Sequence, residues 1–228
     1  MNRHISEQFD AELNAAHQAL MGMGGLVERQ LDNACTALVT HDRDLALSVR
    51  EQESRVNQFE LELDDQCTTI IARRQPTASD LRVILGMLKS VTDLERIGDE
   101  ANRIAKMALK IADLGTPADR YAEFRDLHHE IKSMLAESLD AFARQDAELA
   151  VRVIESDEAV DAHYGALVAH HTEHMRSNPQ TLEHPLNVIW AARALERAGD
   201  HAKNICESVV YQVEGRDVRH PKLQQNAP

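Results

Sequence analysis

The residues best placed to do chemistry are two pairs of carboxylates, each pair four positions apart. Glu95 and Asp99 stand in Asp93-Leu-Glu-Arg-Ile-Gly-Asp-Glu-Ala-Asn-Arg-Ile-Ala-Lys106, and Glu196 and Asp200 stand in Ala194-Leu-Glu-Arg-Ala-Gly-Asp-His-Ala-Lys-Asn-Ile-Cys-Glu207. Seven of the fourteen aligned positions are identical, where ordinary amino-acid usage predicts roughly one. On a helix, residues four apart point the same way. Each pair could therefore chelate a hard cation through oxygen. All-oxygen donors favour Mg²⁺, Ca²⁺, Mn²⁺ or iron, divalent or trivalent, over a structural zinc, although Zn²⁺ stays among the admissible ions.

A bland reading competes with this one. Arg96, Arg103, Arg197 and Lys203 lie near the pairs and could make them ordinary surface ion pairs. Like charges at this spacing mildly destabilise a helix. Their recurrence at the same point of a repeat therefore asks for either a metal or a buried arginine–carboxylate network. His170, His171 and His174 have the spacing of a helical zinc pair but lack its glutamate, and read as solvated or helix-end histidines. Cys35, Cys67 and Cys206 form no CxxC and read as buried small hydrophobes of a reduced cytoplasm. Trp190 is expected in the core or at an interface.

The elements that must hold the pairs follow from composition and periodicity. The chain has 228 residues, 9 Gly, 6 Pro and 4% aromatics, poor in turn and strand formers, which favours helix. A net charge of −13 argues against nucleic acid and anionic lipid as partners. No apolar run is long enough to span a membrane, and the first residues lack a signal peptide. Any action at a membrane must therefore go through partners.

Apolar spacing predicts a first helix over 6–40, bent or closely packed at Gly22, Gly24 and Gly25, and a second over 44–74 begun by Asp42 or Asp44. The second carries Glu53, Asn57, Glu60 and Asp64 beside its apolar stripe. It stops before Pro76. The third, 80–113 with Ser79 or Asp80 at its cap, places Glu95, Asp99 and Asn102 within about 40° of the line of Leu81, Ile84, Leu88 and Val91. A second stripe, including Leu94, Ile97 and Ala101, implies packing on two sides. Gly98 and Gly199 read as sites of close helix approach. Helices over 119–144, 147–176 and 182–213 repeat the design, Asp157 and Asp161 falling where Glu53 and Asn57 stand, 104 residues earlier. The fold class is therefore all-α: six long helices in two tandem, sequence-related, up-down-up three-helix bundles, residues 1–115 and 116–214. Residues 215–228 form a polar tail, partly disordered.

These residues together resemble the PhoU family. The resemblance rests on Met23-Gly-Gly-Leu-Val-Glu28, Arg74-Gln-Pro-Thr-Ala-Ser-Asp-Leu-Arg82, both Leu-Glu-Arg-x-Gly-Asp cores and Val213-Glu-Gly-Arg-Asp-Val-Arg-His220. It implies a cytoplasmic homodimer that links the phosphate ABC transporter, through its ATPase subunit, to a sensor histidine kinase. Such a protein represses the phosphate-starvation response when phosphate is plentiful. It also implies metal, including multinuclear iron, at Glu95/Asp99 and Glu196/Asp200, with Glu53/Asn57 and Asp157/Asp161 as partners. Asn57 leaves the first of these sites one negative charge short of the second. No P-loop, nucleophile elbow or Glu-x-x-His pair is present, so a non-enzymatic adaptor is expected. The alternatives are a carboxylate-bridged metallohydrolase, with Glu60 as its base, and a metal-homeostasis protein.

Overall fold

The computed structural model describes residues 7–115 and 121–218. The turn at Pro117 and most of the tail expected to be disordered lie outside them. Within the described residues all regular structure is helical. The first bundle is α1 (Glu7–Thr40), α2 (Arg43–Glu51), α3 (Glu53–Arg74) and α4 (Ala78–Asp113); the second is α5 (Ala122–Arg144), α6 (Ala147–Ser177) and α7 (Glu183–Glu214), with a 3-10 turn at Pro179–Thr181 before α7.

The boundaries have local causes. Asp42 caps α2 by accepting the Leu45 N–H at 2.9 Å, and Asp146 caps α6 through the Leu149 N–H at 2.9 Å. These aspartates are themselves 104 positions apart, so the repeat extends to the caps. Gln75 adopts a left-handed backbone (φ 48°) ahead of Pro76 and stops α3. Arg74 then forks onto Glu12 at 2.7 and 2.9 Å, tying that end to α1.

Two expectations need correction here. The second helix is not continuous: the chain breaks at Gln52, whose N–H is shared between the carbonyls of Ser48 and Val49. Its counterpart α6 is unbroken. The cap of α4 falls at Thr77, so Ser79 and Asp80 lie inside the helix.

The two motif helices form the spine. Lys89 lies over the Tyr211 ring at 5.0 Å at one end, and Lys110 over the Trp190 ring at 5.5 Å at the other. α4 and α7 thus run antiparallel over some twenty residues, roughly 30 Å, and the bundles lie side by side. The apolar residues of both bundles make one continuous core, including Leu20, Met23 and Ile97 from the first and Phe124, Ile131 and Leu195 from the second. Burial of each such side chain contributes about 1.5–3 kcal/mol. The three cysteines are free and buried, as expected of small hydrophobes. Trp190, in contrast, is not in the core; half its surface is exposed.

Candidate functional site: two acidic grooves and the spine between them

Each carboxylate pair sits on a spine helix and faces the second helix of its own bundle. The reason is the line they continue: Val91 on α4 and Ala192 on α7 are buried, and one turn further along the same line reaches Glu95 and Glu196. In the first groove, Glu95 is nearly covered, its side chain 13% exposed, and Asp99 is half-buried. Arg96 lies 3.4 Å from Glu95 and 3.5 Å from Asp99. From α3, Glu60 acts on Glu95 and is itself acted on by Asp99 and by Asp64, one turn further along. Burial and the neighbouring Asp99 push Glu95 above the ordinary carboxylate range, and burial and Asp64 do the same to Glu60. Glu53 accepts a hydrogen bond from the Asn102 amide, while Asn57 is exposed.

In the second groove, burial and Asp200 raise Glu196, and burial, Asp157 and Asp161 raise Asp200. Asp157 is buried and ion-paired to Lys203; Asp161 is exposed. Burial pulls the Lys203 ammonium down, but the hydrogen bond and charge of Asp157 outweigh that and hold it above its usual value. Arg193 donates to Glu196 at 2.6 Å. A surface cleft of about 520 Å³ opens over this groove, lined by Arg193, Arg197, Asp200 and Lys203 among others.

The structure therefore brings Glu95, Asp99, Glu60 and Asp64 together, and likewise Glu196, Asp200, Asp157 and Asp161. Of the cations named as ion-pair partners, Arg96 and Lys203 serve the grooves. Arg103 and Arg197 do not: both reach Glu100, at 2.6 and 2.9 Å. Glu100 is 1% exposed and bridges the two repeats. Sequence reasoning missed it, along with Asp93, which accepts from His201 at 2.9 Å and Asn204 at 3.1 Å across the same interface. A signal existed: at positions 100 and 93 the repeats differ, carrying His201 and Ala194 instead. Contacts between repeats are where a duplicated sequence must diverge.

The atoms of the grooves suit a metal. Glu95 Oε2, Glu196 Oε2 and Asn102 Oδ1 are buried with no hydrogen-bond partner, at a cost that a bound cation would relieve. The donors are the oxygens a hard ion takes. Among the described residues no three His, Cys, Asp or Glu side chains already converge closely enough to hold an ion. A metal would have to draw them in.

His170, His171 and His174 make no such centre either. His170 pairs with Glu123 at 2.9 Å, while His171 is buried and pushed down to about 4 by burial and then by neighbouring histidines. Elsewhere, the buried Tyr121 hydroxyl sits 2.8 Å from His41 Nε2 and 2.9 Å from His184 Nε2. It donates to one and accepts from the other, tying the α1–α2 turn to the starts of α5 and α7.

Fold and grooves define a class: a duplicated helical-bundle protein with one acidic groove per repeat and, among the described residues, no recognisable catalytic set. The PhoU domain model matches twice, over residues 20–108 and 124–209. The chain is 47% identical over 220 residues to the phosphate-specific transport system accessory protein PhoU homolog of Pseudomonas aeruginosa, covering 96% of this chain and 91% of that one. To the PhoU protein of Escherichia coli it is 42% identical over 221 residues, with coverage of 96% and 91%. The crystal structure of PhoU from Pseudomonas aeruginosa superimposes with a TM-score of 0.89 at 46% identity, over 91% of this chain and all of that one. That of the phosphate transport system regulatory protein PhoU from Streptococcus pneumoniae gives 0.86 at 30% identity, over 92% and 99%. The chain belongs to the PhoU family. These relatives are named as accessory or regulatory proteins, not as enzymes.

Proposed function

We propose that this chain is a non-enzymatic accessory protein of phosphate transport, coupling a phosphate ABC transporter to a sensor histidine kinase and holding the starvation response off when phosphate is plentiful. The observation that carries the reading is family membership over nearly the whole length, with relatives named for the phosphate-specific transport system. No helix among the described residues is long and apolar enough to cross a membrane. In this reading, contact with the transporter is through its ATPase subunit. The protein works in the cytoplasm as a homodimer. Its acidic grooves take hard cations, with Glu95/Asp99 and Glu196/Asp200 as the inner ligands and Glu53/Asn57 and Asp157/Asp161 as their partners on the facing helices. The buried oxygens of Glu95 and Glu196 that no hydrogen bond satisfies support that role.

Two experiments test it. Co-purification with the transporter ATPase subunit and the kinase, in high and low phosphate, is expected to recover both; recovery of neither refutes the coupling. Deletion of the gene is expected to make alkaline phosphatase expression constitutive in rich phosphate, and unchanged repression would refute the regulatory role.

A further inference from the structure

The two grooves are not equivalent, and the difference lies in which of them already holds a cation. At an offset of 101 along the spine helices, Asn102 of α4 corresponds to Lys203 of α7. Both side chains reach an acid at equivalent positions of the facing helices: Asn102 donates to Glu53, and Lys203 to Asp157. One bond is a neutral amide's; the other puts an ammonium inside the groove.

The remaining positions sharpen the contrast. On the facing helices, Glu60 and Asp64 of α3 correspond to Tyr164 and Val168 of α6. Arg193 of α7, where α4 has Thr92, donates to Glu196 and lies over the Tyr164 ring at 5.8 Å. The first groove thus sets five carboxylates, on Glu53, Glu60, Asp64, Glu95 and Asp99, against Arg96 and, when protonated, His201, which Asp93 already holds. The second sets four against both Arg193 and Lys203. Asn57, which by itself would leave the first groove the poorer, is outweighed.

The floors differ too. A side chain at Gly98 would meet Val56 and Gln30; one at Gly199 would meet Val160 and Ile131. Gln30 is therefore the counterpart of Ile131. It is 1% exposed and neither end of its amide has a partner. Asn102 is 2% exposed and its Oδ1 is likewise unpaired. Beneath the first groove lie uncharged oxygens that can complete an ion's shell; beneath the second lies an aliphatic wall.

We propose that the grooves fill in order: a hard divalent cation enters the first groove, and Lys203 acts as the resident cation of the second, admitting a metal only when displaced from Asp157. This deepens the metal-binding reading above and rests on it. An ammonium within a few ångströms of an incoming divalent ion repels it, and the ion must also break the Lys203–Asp157 pair.

The test is a Mn²⁺ titration of the tag-free full-length protein, followed by electron paramagnetic resonance and calorimetry, with circular dichroism to show that each variant is folded. Two classes of site are expected. The tight class is lost in Glu95→Ala/Asp99→Ala, and the weak class in Glu196→Ala/Asp200→Ala. Lys203→Asn or Lys203→Gln is expected to tighten the weak class by about tenfold or more, and Asn102→Lys to weaken the tight class by a similar factor. Two equal classes, or a weak class indifferent to both Lys203 substitutions, would overturn the order of filling while leaving metal binding standing. Absence of any Mn²⁺ binding, in wild type and variants alike, would remove both.

Discussion

Glu196 shows what a groove acid costs when no ion is present. Burial holds its carboxyl in the protonated direction, so ionisation at neutral pH works against the fold. The folded-state pKa is raised, so this penalty is complete above it and is relieved as pH falls through it towards the ordinary value near 4.5. In chelator at pH 7, Glu196→Gln is therefore expected to melt at or above the wild-type temperature, the difference shrinking as the solution is acidified. A variant that melts well below wild type across that range would show the carboxylate to be a structural ion-pair member instead. His171 has the opposite sign. Its folded-state pKa, about 4, lies below its ordinary 6.5, so its contribution is complete above 6.5 and is lost as pH falls towards 4. The loss from this group is up to about 3 kcal/mol. His171→Leu is expected to flatten that part of the stability–pH curve, measured by chemical denaturation at pH 7, 5.5 and 4.5.

At the scale of elements, glycines divide by what a methyl group would meet. Gly22, in the exposed face of α1, has nothing nearer than Phe59 at 4.0 Å. Gly22→Ala should stabilise by about 0.5–1 kcal/mol through helix propensity alone. Gly86 faces Gln212 across the spine, with Nε2 at 2.2 Å and Cγ at 2.4 Å of the added carbon. Gly86→Ala should destabilise by about 1–3 kcal/mol, since the buried Gln212 side chain must be displaced. Thermal melts of the two variants should shift in opposite directions, and a common direction would undo this account of the spine. Helix positions were largely legible in the sequence because period, proline and the Asp42 and Asp146 caps agreed. The break at Gln52 was not: no Gly or Pro marks it, and it arises from how the first bundle packs. The acids were legible because a like-charged pair was repeated. Glu100, Gln30 and Tyr121 were hidden because each acts across a long stretch of chain, where periodicity carries no information.

At the scale of the molecule, the repeats are joined by the spine, and Glu100 is its buried polar tie. Arg103 and Arg197 are about half exposed and can turn to water if it is removed, so the cost is well below that of stranding a buried charge. Glu100→Ala is expected to lose about 1–2 kcal/mol and to raise hydrogen exchange along α4 and α7 more than along α1 or α6. Uniform change across all helices would argue against a local tie. The three free thiols carry a last consequence. Cys35 and Cys67 sit in one bundle and Cys206 in the other. Burial holds the first well above its usual range and pushes the others up to about 11 and 12. A thiolate reagent can modify such groups only when the surrounding helices part. The chain therefore carries its own pair of stopwatches, one for each half, and peptide-resolved alkylation would time how often either half breathes and whether an ion in one slows only that one.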